Sequence, residues 1–329
     1  MIAVRVMGNR QIEIVEAQEP NPNPGRLAID VKASGICGSE MPAYRGTQPR
    51  PSNNGHEIAG VVVHNGGSVR FQVGARVGVH AVWGCGECAE CEQGRYTRCP
   101  RLRHSGGGHS ERVSVPEHVC LPMPDDMSFE EGVLYTGDGL GVPYRVSQRL
   151  GETRGEWVCV TGAGPIGLGN TLVQTFLGAR VVVLDMNPRR LEFARRLGAE
   201  ATLNLNEIDR PDEAVIETAG GLPRYCIEAS GKPQALRFLL DIARKGGTVM
   251  AVGEQGELPV SPSRDLIHKD LTLMGSLYYH FSDYPDMLAM RQMGLRAERL
   301  IGRRYPLQEA AAAFQAFDEG APGKLILNP

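Results

Sequence analysis

No stretch of this 329-residue sequence runs for the ~18 consecutive apolar residues that a membrane-crossing helix needs. A spanning helix is therefore not expected. The opening MIAVRVMGNRQIEIVEAQEP lacks the basic start, continuous apolar centre and small-residue cleavage site of a signal peptide, and alternates apolar and polar residues as a strand does. The expected compartment is a reducing cytoplasm. An excess of one charge is also missing. The 35 Lys and Arg against 38 Asp and Glu leave a net charge of −3, and the cations are scattered. Nucleic-acid binding needs a basic face, so it is not expected. Repeats, low-complexity tracts and disordered tails are absent as well. What remains is a globular chain long enough for about two domains.

Cysteine is sparse except in one place. Four of the eight cysteines fall within CGECAECEQGRYTRC, residues 85–99. Two disulfides or one metal ion would explain the cluster. Disulfides belong to oxidised, usually short secreted chains, so a reducing compartment favours the metal. Cys85, Cys88, Cys91 and Cys99 offer four thiolates, the full tetrahedral set of a closed structural zinc site. Glu87, Glu90 and Glu92 stand among them beside Arg95 and Arg98, which is not the surface of a nucleic-acid zinc ribbon.

The rhythm of the chain changes near residue 150. Before it, short alternating stretches broken by Gly and Pro predict an all-β domain. After it, the strand-like runs WVCVTG, RVVVLD, ATLNL, YCIEAS, TVMAVG and LTLMGS alternate with helical ones, PIGLGNTLVQTFLG, PRRLEFARRLGA, PDEAVIETAGG, PQALRFLLDIARKGG and PSRDLIHKD. That alternation predicts an α/β domain with a doubly wound parallel sheet. The final fifty or so residues leave the pattern and are too few for a third domain. The expected division is 1–141, 142–276 and a returning segment 277–329.

Within VTGAGPIGLG, Gly162, Gly164 and Gly167 have the G-x-G-x-x-G spacing, and Pro165 and Ile166 lie between them. The motif follows an apolar strand and opens a helix, the setting in which a helix N-terminus holds a pyrophosphate. Gly162 permits the tight turn, Gly164 the approach of phosphate and Gly167 close helix–strand packing. Asp185, twenty-three residues after Gly162, ends the next strand. A carboxylate there accepts the ribose hydroxyls of NAD and repels the extra phosphate of NADP; capping the following helix is its structural alternative. Arg189 and Arg190 stand where arginines hold a 2′-phosphate, so NADP is the second choice.

Two further boxes are GICGSE, with Cys37, Ser39 and Glu40, and NNGHEIAG, with His56 and Glu57. Alone, a cysteine and a histidine read as core residues. Together with the four-cysteine lobe, the GAGPIG fingerprint and the closing PLQEAAAAFQAFDEGAPGKLIL, the whole chain resembles the zinc-dependent alcohol dehydrogenases of the medium-chain dehydrogenase/reductase superfamily. The resemblance implies a GroES-like catalytic domain interrupted by a Rossmann domain, the last segment returning to the former. It implies a catalytic zinc held by Cys37, His56 and Asp138 of LYTGDGLGV, with Glu57 beside the metal. It implies NAD-dependent hydride transfer between an alcohol and a carbonyl, and a homodimer or homotetramer. Ser39 matches the family's proton-relay hydroxyl. Pro42 stands where many members have the next relay histidine, so Tyr44, His104 and His109 are the remaining candidates beside water. Glu40, in place of the usual aspartate, is expected to hydrogen-bond His56. The polar stretches YRGTQPRPSNN, RLRHSGGGHSERV and SLYYHFSDY, with Tyr278, Tyr279 and His280, suggest a polyol, sugar or cyclitol as substrate; the alternative is that they are solvent-facing loops. Cys120, Cys159 and Cys226 read as buried apolar residues. The rival readings are a simple secondary-alcohol dehydrogenase, a zinc-free quinone or enone reductase, and a non-catalytic zinc protein that senses a nucleotide.

Overall fold

Alternation in IAVRVMG and QIEIVE produces β1 (Ile2–Gly8) and β2 (Gln11–Glu16), an antiparallel hairpin. Its two turn residues, Asn9 and Arg10, both have positive φ, as a two-residue turn that follows the strand twist requires. The computed structural model describes residues 1–47 and 51–329, and its chain divides into two compact units, Met1–Gly141 with Tyr278–Pro329 and Val142–Leu277.

In the first unit β3 (Arg26–Gly35), β4 (Glu57–His64), β5 (Arg76–Val79) and β9 (Cys120–Pro122) lie in that order as antiparallel neighbours, and β8 (Arg112–Pro116) also pairs with β3. The small pair β6 (Val82–Trp83) and β7 (Arg103–His104) stands apart. Leu27, Ile29, Ile58, Val62, Val77 and Val79 bury one face. Gly60 sits where a Cβ would meet the carbonyl oxygen of Asp30 at 2.1 Å, so only glycine lets β4 pass the irregular pairing with β3.

The all-β expectation is corrected by three short helices, α1 (Met41–Arg45), α2 (Ala89–Glu92) and α3 (Phe129–Thr136). The start of α3 is legible in hindsight: Ser128 Oγ accepts the Glu131 amide at 3.1 Å, the N-cap arrangement that the S-x-x-E spacing encodes. Helix α4 (Asp138–Leu150) follows and carries the chain from one unit into the other.

The second unit is built on β10 (Trp157–Thr161), β11 (Arg180–Asp185), β12 (Ala201–Asn204), β13 (Tyr225–Glu228), β14 (Thr248–Ala251) and β15 (Thr272–Gly275). All neighbours are parallel, in the order β12-β11-β10-β13-β14-β15, which is the doubly wound Rossmann order. The crossover helices α5 (Pro165–Phe176), α6 (Pro188–Leu197), α7 (Pro211–Ala219) and α8 (Pro233–Ile242) each begin on proline, whose missing amide costs nothing in the first turn. The fifth expected helix, PSRDLIHKD, is instead a π-turn over Pro262–Leu266 and a 3₁₀ turn over Ile267–Lys269. The buried Asp265 carboxylate takes the Ser261 amide at 2.8 Å, Arg237 Nη1 at 2.8 Å and Arg264 Nε at 2.7 Å, so this backbone wraps around a side chain.

The tail comprises α9 (Tyr284–Gln292), β16 (Ile301–Pro306), α10 (Ala310–Asp318) and β17 (Lys324–Asn328). Strand β17 pairs antiparallel with the end of β3, Ile326 opposite Gly35 and Leu327 opposite Ser34, and β16 adds outside it in parallel. Phe314 of α10 packs with Val4, Val6, Ile36, Met41 and Tyr44 from the first segment. Replacing Phe314 by alanine removes a fully buried ring and is expected to destabilise the first unit by about 3–5 kcal/mol, read as a lower urea midpoint. An unchanged midpoint would contradict the tail's role as core.

Candidate functional site

The β3–β4 register builds the site. Gly35 stands opposite Glu57 across the antiparallel pair, so Cys37, two residues beyond β3, and His56, one residue before β4, emerge side by side. Asp138 reaches them from the first turn of α4. One ligand atom from each of Cys37, His56, Glu57 and Asp138 lies within 4.8 Å of the others. Cys37 Sγ is 2.9 Å, and His56 Nε2 3.2 Å, from Asp138 Oδ2. A zinc ion with ligands at ~2.0–2.3 Å holds such atoms ~3.3–3.5 Å apart.

Each side chain of the cluster has a defined set of hydrogen-bond partners. His56 Nδ1 lies 2.8 Å from the Asn54 carbonyl, to which it must donate, leaving the Nε2 lone pair facing a carboxylate oxygen. Two acceptors in contact fit only a proton or a metal cation between them. Burial raises the Asp138 pKa, but the hydrogen bond and charge of His56 prevail and hold it well below the usual carboxylate range. Burial and the Asp138 charge push the Cys37 thiol up. A thiol and a carboxylate that can both be anionic, with one imidazole, form a donor set that suits Zn²⁺.

Glu57 is fully buried behind the cluster. Its Oε1 pairs with Lys324 Nζ, which also donates to the Ile36 carbonyl at 3.3 Å. Its Oε2 has no partner. Burial raises the Glu57 carboxyl to about 7, against the opposing charge of Lys324. Lys324 was not anticipated from the sequence; the tail carries it, at the start of β17.

In the lobe, the Sγ atoms are 3.5 Å apart for Cys88–Cys91, 3.8 Å for Cys88–Cys99 and 3.9 Å for Cys85–Cys91. Four thiolates at ~2.3 Å from one zinc stand ~3.8 Å from each other, whereas a disulfide needs ~2.05 Å. The amides of Cys85 and Arg101 both point at Cys99 Sγ at 3.3 Å, as towards a thiolate. Gly84 allows this crowding: a Cβ there would sit 2.2 Å from Cys91 Sγ. All eight cysteines are free.

In the second unit the glycine motif has the backbone expected of a pyrophosphate turn. Gly162 has φ +89°, and a Cβ on Gly167 would fall 1.7 Å from the Gly162 oxygen. A Cβ on Gly164 would meet nothing within 4 Å, which leaves the N-terminus of α5, with Pro165 and Ile166, open to a ligand. Asp185 closes β11; its Oδ2 accepts the Ala163 amide at 2.6 Å and its Oδ1 the Asn187 amide at 2.8 Å. The helix cap considered for Asp185 belongs to Asn187, whose side chain accepts the Arg189 and Arg190 amides. Sequence reasoning missed Glu228, an acid ending an apolar strand. Buried, it gathers Ser230 N at 2.6 Å, Gly231 N at 3.0 Å and Gln255 Nε2 at 3.0 Å, and so sets the loop against which Gly162 packs.

Known proteins agree with both halves. Residues 23–125 match the model of the alcohol dehydrogenase GroES-like domain, and residues 165–292 that of the zinc-binding dehydrogenase domain. L-Threonine 3-dehydrogenase of Shewanella oneidensis is 32% identical over 341 residues, covering 98% of each chain. The chain belongs to the zinc-dependent medium-chain dehydrogenases. A solved Escherichia coli protein described as a short chain alcohol dehydrogenase complexed with NADH superposes with a TM-score of 0.90 at 28% identity, covering 100% of this chain and 99% of that one. A 2R,3R-butanediol dehydrogenase from Bacillus subtilis gives 0.87 at 26%, with the same coverage. This dehydrogenase is an NAD- and zinc-dependent alcohol oxidoreductase. Among the described residues no helix is long and apolar enough to cross a membrane.

Several expected neighbours of the dehydrogenase site lie elsewhere. Glu40 does not reach His56: its Oε2 is 3.0 Å from His109 Nε2 and its Oε1 accepts the Cys37 amide at 3.0 Å. The tight turn after Cys37 folds the longer side chain back over its own backbone. Ser39 is exposed in that turn. Of the relay candidates, Tyr44 is buried against Phe314, His109 is buried beside Glu40, and His104 is exposed on β7. Tyr278 and Tyr279 are buried, with both hydroxyls directed at the Thr136 carbonyl, and His280 is buried with Nδ1 3.1 Å from Thr97 Oγ1. Within YRGTQPRPSNN, residues 48–50 lie outside the described residues. Cys120, Cys159 and Cys226 are fully buried.

Cys99→Ser is expected to remove one zinc per chain and lower the thermal midpoint by several degrees. Metal analysis beside calorimetry checks this. Full zinc content in the folded variant would contradict a four-thiolate site.

Proposed function

We propose that Cys37, His56 and Asp138 hold a catalytic zinc, that Cys85, Cys88, Cys91 and Cys99 hold a structural one, and that the dehydrogenase oxidises a small secondary alcohol bearing a neighbouring polar substituent. The observation that carries the metal assignment is the mutual approach of thiol, imidazole and carboxylate around a point that demands a cation. The substrate class draws on the relatives: threonine and butanediol both present a secondary hydroxyl beside a second heteroatom. Polyols, sugars and cyclitols fall in the same class.

When bound, zinc supplies Lewis acidity towards the substrate oxygen and the nicotinamide supplies the hydride acceptor. The residues of the chain do the rest. Cys37, Asp138 and His56 would hold the ion as thiolate, carboxylate and neutral imidazole, a three-residue set of the kind that serves catalytic zinc. Asn54 holds the His56 ring in the tautomer that offers Nε2. Ser39 receives the alcohol proton, and its exposure makes water the outer relay in place of a histidine. Glu57, held by Lys324 on one oxygen, keeps the other free towards the cluster as a polar reserve. Gly162, Gly164, Pro165, Ile166 and Gly167 would hold the pyrophosphate of NAD and Asp185 its ribose hydroxyls, with Arg190 near that subsite in sequence.

A cytoplasmic setting accords with eight cysteines none of which is in a disulfide. Assembly into a homodimer or homotetramer is supported by β15, an edge strand of the parallel sheet, next to the exposed Ile267 and Leu277.

The test incubates the two-zinc enzyme with NAD and a panel of threonine, vicinal diols, polyols, cyclitols and simple secondary alcohols, following NADH absorbance. Turnover concentrated on alcohols with a neighbouring heteroatom is expected, and preference for simple alcohols would overturn the substrate class. Ser39→Ala should lower kcat by about 10²-fold or more while both zinc ions remain; unchanged kcat would overturn the relay.

A further inference from the structure

Ser34, His109 and Glu40 form a chain of polar groups inside the first unit. Ser34 Oγ lies 2.8 Å from His109 Nδ1, and His109 Nε2 lies 3.0 Å from Glu40 Oε2. All three side chains are at most 1% exposed. The residue types are those of a hydrolytic triad, but burial denies Ser34 any substrate, so nucleophilic chemistry is not its use. What the chain touches is the metal site.

On one side, Glu40 Oε1 accepts the Cys37 amide at 3.0 Å, and the Glu40 amide donates back to the Cys37 carbonyl at 3.1 Å, closing the turn that carries the thiolate. On the other side, His109 grips the loop that carries His56. Asn53 Nδ2 donates to the His109 carbonyl at 2.9 Å, and the His109 amide donates to Asn53 Oδ1 at 3.2 Å. The same Oδ1 accepts the Gly55 amide at 3.3 Å. The imidazole lies flat against Gly55, where a Cβ would stand 2.6 Å from the ring. Between these two residues, Asn54 presents the carbonyl that orients His56. A single side chain and its backbone thus reach both ligand loops, which are separated by about twenty residues of sequence.

We propose that His109 is a positioning residue for the catalytic metal: with Ser34 and Glu40 it clamps the Cys37 turn and the His56 loop at the separation the ion requires. The inference rests on Cys37 and His56 being ligands. An imidazole suits the task because it presents two polar atoms on opposite edges of a rigid ring. Phenylalanine would fill the volume but strand Glu40 Oε2 and Ser34 Oγ without partners in a buried place. Groups that orient metal ligands in this way typically change metal affinity by 10–100-fold when removed.

The lobe zinc gives an internal control. Zinc release to a chelating dye is followed for the full-length wild type, His109→Phe, His109→Gln and Ser34→Ala, together with the visible spectrum after cobalt replaces the more labile ion. His109→Phe is expected to release one ion about 10–100-fold faster while the second leaves at the wild-type rate, and to shift the sulfur-to-cobalt charge-transfer band. His109→Gln, which keeps a donor, should lie between, and Ser34→Ala closer to wild type. Unchanged release and spectra in folded His109→Phe and His109→Gln would overturn the proposal. So would equal loss of both ions with a falling thermal midpoint in both variants, the mark of general fold support. A wild-type chain holding only the lobe zinc would overturn the ligand assignment itself, and the clamp with it.

Discussion

Two anionic side chains cannot be buried in contact without a cation. Were Cys37 and Asp138 both ionised at their 2.9 Å separation, they would repel by ~6 kcal/mol even at an effective dielectric of ~20. His56 adds a lone pair to the same point. On the proposed assignment a metal cation meets this demand once the Cys37 thiol has lost its proton, and the surrounding fold serves to hold three donors against their mutual repulsion. The antiparallel register of β3 and β4 sets two of them side by side, and the first turn of α4 delivers the third.

The tail matters for the same reason. Strand β17 adds to β3 and places Lys324 against Glu57, so the buried carboxylate behind the cluster has a counter-charge. Without Lys324, Glu57 would be a third acid beside Cys37 and Asp138 with no compensation. An isolated buried charge of this kind is among the costliest features a fold can carry. The returning segment therefore completes both the core, through Phe314, and the electrostatics of the site.

Much of this was legible in the sequence wherever the signal was local. The six Rossmann strands read as short apolar runs separated by proline-initiated helices, and each formed where expected. The glycine motif was legible by its spacing, and Gly162 and Gly167 answer steric needs that only glycine meets. The four lobe cysteines were legible by spacing. What escaped depended on long-range partners. Glu40 was expected on His56, yet its partner His109 lies 69 residues away in a stretch that reads as a polar loop. Lys324 pairs with Glu57 across 267 residues. Tyr278 and Tyr279 were pocket candidates because they follow the last Rossmann strand in a polar stretch, and only the fold shows their hydroxyls directed at the buried Thr136 carbonyl. The turn over Pro262–Leu266 has helical composition, but the ion pairs of Asp265 override local propensity. Alternation and spacing report a residue's own element; they do not report what another element brings to it.

The central claim is that two chemically different zinc sites coexist in one chain. Zinc K-edge X-ray absorption on the fully loaded enzyme tests it most directly, because sulfur and nitrogen or oxygen neighbours scatter at distinct distances. The account predicts an average of about 2.5 sulfur ligands per zinc, from a four-thiolate site and a one-thiolate site present equally, with nitrogen or oxygen near ~2.0 Å. Four sulfurs per zinc, with no nearer light-atom shell, would contradict it.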